Sequence, residues 1–96
     1  MDKLTDFRQR IDGIDEKIVR LISERLDICK EVAKYKSEND IPMMQPERVQ
    51  EVLVKRRKLA DELALNPDLV EHIYKLIVDE ACILEDEIIN SLLKSQ

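Results

Sequence analysis

Apolar residues recur along the first third of the chain at alternating spacings of three and four: Leu4, Phe7, Ile11, Ile14, Ile18, Leu21, then Ile28, Val32 and Tyr35. That period predicts one amphipathic helix of about 33 residues carrying a continuous apolar seam. Only Arg25 interrupts the seam, standing where the period calls for an apolar side chain. Asp2 or Thr5 serves as N-cap, and Gly13 is tolerated inside at modest cost. The segment "SENDIPMMQP" at 37–46 ends the helix, because Pro42 and Pro46 each disfavour helix in the residue before them. A second helix is predicted from Pro46, with Glu47 in its first turn and a stripe of Val49, Val52, Leu53, Leu59, Ala60 and Leu63, ending near "LALNPD". Asn66 then caps a third, with Pro67 at its first position and apolar residues at Val70, Ile73, Tyr74, Ile77, Ala81, Leu84, Ile88 and Leu92. The pattern is a single all-α domain over residues 1–96, its helices long, short and long.

A helix of about 33 residues would be ~50 Å long, whereas a compact globule of this chain length would be only ~32 Å across. The first helix therefore overhangs its own fold, and the overhanging seam needs cover. A chain of 96 residues is also near the size at which one core becomes marginal. An intertwined homodimer, with part of the first helix packed on the other protomer, is the expected assembly.

Composition agrees with the helical pattern and narrows the partners. Aromatic residues are 3% of the chain, with one Gly and three Pro, which is poor material for strands and turns. Against 16 Lys and Arg stand 21 Asp and Glu, so no global positive field draws in nucleic acid or an anionic membrane, and any cationic site is local. The basic run "KRRK" at 55–58 is short and flanked by acids, which reads as a solvated face. Cys29 and Cys82 lie in apolar helical stretches without metal-ligand spacing and read as reduced core thiols. The N-terminal "MDKLTDFRQRIDGID" has no apolar leader segment and no run approaches the ~18 apolar residues of a membrane span, so a cytoplasmic location is expected. His72 reads as a helix-surface residue, and Met43 and Met44 as loop packing.

The seam arginine carries the functional question. A charge on a buried seam costs several kcal/mol unless it is paired, so Arg25 requires an anion. Glu24 and Glu31 lie near the edges of its face and offer an internal ion pair, and coiled-coil seams also use one polar residue to set register. Lys36 suggests a different answer. Eleven residues make three turns, so Arg25 and Lys36 align within ~20° as a two-cation strip facing the bundle interior. Arg8 lies about 100° around the helix and more than ~25 Å along it, too far to join the strip in its own chain, yet placed to reach a partner's strip in an intertwined dimer. Three interior cations in an acidic chain call for a small polyanion, and guanidinium forks suit carboxylates.

The segments "FRQRIDGIDEKIVRLISERLDICKEVAKYK", "PERV" and "LIVDEACILEDEI" resemble the all-helical class of chorismate mutases over nearly the whole chain. The resemblance implies a three-helix protomer in an interlocked dimer, the chorismate mutase type II fold. Carried over residue by residue, it assigns Arg8 to the neighbouring site, Arg25 to a substrate carboxylate, and Lys36 to a carboxylate and the enol-ether oxygen. Arg48 matches the arginine that opens the second helix, and Glu85 stands near the ether oxygen. The implied reaction, chorismate to prephenate, is a pericyclic rearrangement that needs no nucleophile, metal or cofactor. Cations hold both carboxylates of the substrate in its reactive diaxial chair, while Lys36 and Glu85 donate to the ether oxygen as it gains negative charge. Glu85 donates only when protonated, and its apolar neighbours Val78, Ala81, Cys82 and Ile88 should raise its pKa by desolvation, with Lys36 opposing.

The chain departs from that family at two positions. Carboxylates that contact the C4 hydroxyl in typical members are replaced by Gln45, which still hydrogen-bonds, and Val49, which does not. The segments "PMMQP" and "CILED" resemble mutases acting on 4-amino-4-deoxychorismate, and "PERV" resembles isochorismate pyruvate lyases, which usually place Gln where Glu85 stands. A non-catalytic helical dimerisation module would explain the seam and the acidic surface but not Lys36 and Glu85 together.

Overall fold

The computed structural model describes residues 2–43 and 45–94; Met44, expected in loop packing, lies outside the described residues, as do Met1, Ser95 and Gln96. Three helices account for nearly all of it: α1 (Lys3–Glu38), α2 (Pro46–Glu62) and α3 (Pro67–Lys94). Of the two candidate caps for α1, Asp2 is the one used, its carboxylate accepting from the Thr5 N–H at 2.7 Å. That bond holds the Asp2 carboxyl below the usual carboxylate range. At the start of α3 the Asn66 side chain accepts from the Asp68 N–H at 3.0 Å.

Both inter-helix turns close in the same way without glycine. After α1, Asp40 takes a left-handed conformation (φ 54°) and the Ile41 N–H returns to the Lys36 carbonyl at 2.9 Å. After α2, Ala64 does the same (φ 57°), with the Leu65 N–H on the Ala60 carbonyl at 2.8 Å. These are Schellman closures, which satisfy carbonyls that a helix end would otherwise leave unpaired. Aspartate tolerates the left-handed region, whereas alanine has no polar side chain to compensate and is strained there.

α1 and α2 each pack on α3 and not on one another. Among the described residues the buried ones are Ala33 of α1, Val52, Leu53 and Ala60 of α2, and Ala81 of α3. Three of these five are alanines, which permit helix backbones to approach closely. α1 packs on α3, and between Ile22 and Ala33 its apolar residues withdrawn from solvent are Ile22, Leu26, Cys29 and Ala33. This face adjoins the predicted seam but does not coincide with it: Ile28, Val32 and Tyr35 stay exposed to solvent in the single chain, Val32 least, as do Leu59 and Leu63 of the expected α2 stripe.

The N-terminal half of α1 projects beyond this small core. Every residue from Asp6 to Leu21 is exposed, including Phe7 at 50% and Ile11 at 55%. The molecule measures 60 × 28 × 15 Å, with a radius of gyration of 17.4 Å. A compact domain of this length would have a radius of gyration of ~12.5 Å. Its accessible surface is 7833 Å², against the ~5,700 Å² expected of a compact monomer of this mass. No helix among the described residues is long and apolar enough to cross a membrane.

Candidate active site

A cavity of about 310 Å³ opens between the C-terminal half of α1, the first two turns of α2 and the middle of α3. That is at the small end of the range for small-molecule sites. α1 contributes Arg25, Ile28, Cys29, Val32 and Lys36 to its wall; the turn and α2 contribute Met43, Gln45, Arg48, Val49 and Val52; α3 contributes Val78, Ala81, Cys82 and Glu85. Five sequence-predicted site residues, Arg25, Lys36, Gln45, Arg48 and Glu85, therefore share one cavity. Arg8 does not join them: it is exposed on the overhanging half of α1.

The cations are held in three different ways. Among the described residues no carboxylate lies within ion-pairing distance of Arg25, so neither Glu24 nor Glu31 supplies the internal pair. Its contacts are neutral: Nη1 donates to Cys29 Sγ at 3.9 Å, and the guanidinium carbon lies 5.9 Å from the centroid of the Tyr74 ring. Lys36 Nζ donates to the Met43 carbonyl at 3.3 Å, which ties the end of α1 to the turn that follows it. Arg48 is engaged at the rim, where Nη1 pairs with Glu51 Oε1 at 2.9 Å and Lys55 Nζ reaches the same oxygen at 2.9 Å. These two cations hold the Glu51 carboxyl below the usual range, the Lys55 hydrogen bond acting most strongly.

Among the described residues, Glu85 is the only acid on the cavity wall. Burial pushes its carboxyl above the usual range; the Lys36 charge opposes this and the neighbouring Asp86 adds to it. Burial also raises the Cys82 thiol, with the negative charge of Glu85 contributing. Cys29 and Cys82 are free thiols, and Gln45, the N-cap of α2, makes no side-chain capping bond, which leaves its amide available to the cavity.

Together these groups make an apolar cleft with an excess of positive charge and one carboxyl biased towards its neutral form. Such a cleft binds a small dianion and donates hydrogen bonds to an oxygen acquiring negative charge.

Several contributors were not identified from the sequence. Glu51 and Lys55 stand three and seven residues after Arg48, and helical spacing alone could have linked them. The Met43 carbonyl and the Tyr74 ring carry no local signal, because one is a backbone group in a turn and the other belongs to the apolar stripe of α3. The run at 55–58 is more engaged than a solvated face: Arg56 stacks 5.4 Å from the Tyr74 centroid, and Arg57 pairs with Asp68 at 2.9 Å and Glu71 at 3.3 Å. His72 is exposed, as expected.

Residues 7–86 match the model of the family described as chorismate mutase type II. The chain is 36% identical over 90 residues to the 4-amino-4-deoxychorismate mutase of Streptomyces pristinaespiralis, a match covering 94% of this chain and 70% of that protein. It is 34% identical over 79 residues to the chorismate mutase of Methanocaldococcus jannaschii, covering 82% and 80%. It is also 34% identical over 91 residues to the bifunctional chorismate mutase/prephenate dehydratase of Aquifex aeolicus; that match covers 92% of this chain but only 25% of the longer protein.

Proposed function

We propose that this chain, which belongs to the type II chorismate mutase family, catalyses the rearrangement of chorismate to prephenate at the α1–α2–α3 cavity. The observation that carries the reading is the arrangement of Arg25, Lys36 and Arg48 around one cleft whose only acid, among the described residues, is Glu85. Arg25 and Arg48 bind the two substrate carboxylates, which selects the chair in which the breaking C–O and forming C–C bonds face each other. Lys36 and protonated Glu85 donate to the ether oxygen, whose negative charge grows as the C–O bond breaks. No net proton transfer is required. Gln45 offers its amide to the ring hydroxyl.

The site is completed by a second copy of the chain. The surface in excess of a compact monomer, about 2,100 Å², is of the order buried by each partner in an obligate dimer, and the projecting half of α1 is exposed throughout. In that dimer Arg8 enters the neighbouring cavity as a further carboxylate ligand.

A second reading, rearrangement of 4-amino-4-deoxychorismate, is favoured by the apolar Val49 in the cavity wall and by the 36% identity to the Streptomyces pristinaespiralis enzyme. One experiment separates the possibilities: chorismate, 4-amino-4-deoxychorismate and isochorismate are offered in turn and the products identified. Prephenate from chorismate at the highest kcat/KM supports the proposal. An amino-prephenate product made faster would favour the second reading, and pyruvate with salicylate from isochorismate would assign a lyase instead.

A further inference from the structure

Tyr74 is approached by a side chain from each of the other two helices. It stands on α3, with the guanidinium of Arg25 from α1 at 5.9 Å and that of Arg56 from α2 at 5.4 Å from its ring centroid. We infer that Tyr74 is a positioning residue for Arg25: its ring holds the guanidinium at the cavity without neutralising it. This rests on the reading of Arg25 as a carboxylate clamp.

The physical argument begins with the length of the side chain. An unsupported arginine loses rotamer freedom when it grips a ligand, and that loss weakens binding. A carboxylate would prevent the loss by pinning the side chain beforehand, but it would also compete with the substrate's own carboxylate. An aromatic face attracts the cation through its quadrupole and leaves every N–H free to donate elsewhere. Nη1 also donates weakly to Cys29 Sγ at 3.9 Å, a second neutral contact that engages one N–H without cancelling the charge. Arg56 packs on the same ring from the α2 side, so the ring itself is braced between two helices.

The experiment compares Tyr74→Leu, which removes the ring, with Tyr74→Phe, which keeps it. In Tyr74→Leu the KM for chorismate rises about three- to tenfold, with a smaller change in kcat; in Tyr74→Phe it returns close to that of the unmodified protein. A second measurement does not depend on turnover. The chain has two tyrosines and no tryptophan, so in a Tyr35→Phe background Tyr74 is the sole tyrosine fluorophore. Its emission changes when a bicyclic ether-dicarboxylate resembling the transition state binds, and the change disappears when Arg25→Leu is added. An unchanged KM in folded Tyr74→Leu, or a Phe variant as impaired as the Leu variant, would overturn the role. Absence of both turnover and mimic binding in the unmodified protein would instead overturn the proposed function, and the role with it.

Discussion

Arg57 at the α2–α3 junction and Arg25 at the cavity are both half-buried, yet they are held by opposite chemistries. Arg57 reaches across to the start of α3 and finds two carboxylates, Asp68 in the first turn at 2.9 Å and Glu71 in the second at 3.3 Å. Arg25 finds a sulfur and an aromatic ring. Acids are not scarce in this chain, which has 21 of them, so the lack of one beside Arg25 is a property of the place. A cation that fastens two helices is best neutralised within the fold; one that binds an anion works best when its supports are neutral. Arg48 lies between these extremes, facing the cavity but sharing Glu51 with Lys55 at the rim.

The contrast breaks most decisively at Arg25 itself. Arg25→Leu should lower activity by roughly two to three orders of magnitude, the scale of losing a key electrostatic contact to the reacting molecule. Its thermal stability should be unchanged or higher, because an unpaired half-buried charge is replaced by apolar surface. Loss of the fold in this variant, followed by circular dichroism, would place Arg25 with Arg57 among the structural cations.

The cavity's acid provides the next test. With its pKa raised by burial, Glu85 is protonated at low pH and loses its proton as pH rises through that pKa. The donor is therefore present below the pKa and lost above it, by about tenfold per pH unit once well past it. Activity falls over the same interval, and Glu85→Gln, a permanent donor, should flatten the fall. A pH–rate profile identical in the two proteins would remove Glu85 from the reaction.

The exposed half of α1 sharpens the comparison between chains. Arg8→Ala and Arg25→Ala should each be nearly inactive alone. If Arg8 serves the neighbouring site, an equimolar mixture allowed to exchange subunits recovers roughly a quarter of full activity, since half the dimers carry one intact site of two. A mixture as inactive as its components would confine each site to one chain.

The smallest effect belongs to Arg57→Leu. It should lower the melting temperature slightly, because Arg57 keeps partial access to solvent and its partner Asp68 is exposed, and leave kcat/KM near its original value. A large loss of activity without loss of stability would mean that the α2–α3 fastening is transmitted to the cavity.

Much of this molecule is determined by local sequence. The three helices, the Asp2 and Asn66 caps and the overhang of α1 all follow from residues within a few turns of each other, because helix formation and capping are local. The alignment of Arg25 with Lys36 is likewise a consequence of helical pitch. Tertiary structure decided what local periodicity leaves open. Which face of α1 meets α3 depends on where alanines permit close approach, and so Ala33 is buried while the seam residues beside it are not. The fastening of Arg57 and the neutral support of Arg25 join residues on different helices, whose meeting is set by the two left-handed turns at Asp40 and Ala64. An apolar stripe specifies that Tyr74 faces inward; only the packed arrangement of three helices places two guanidiniums on its ring.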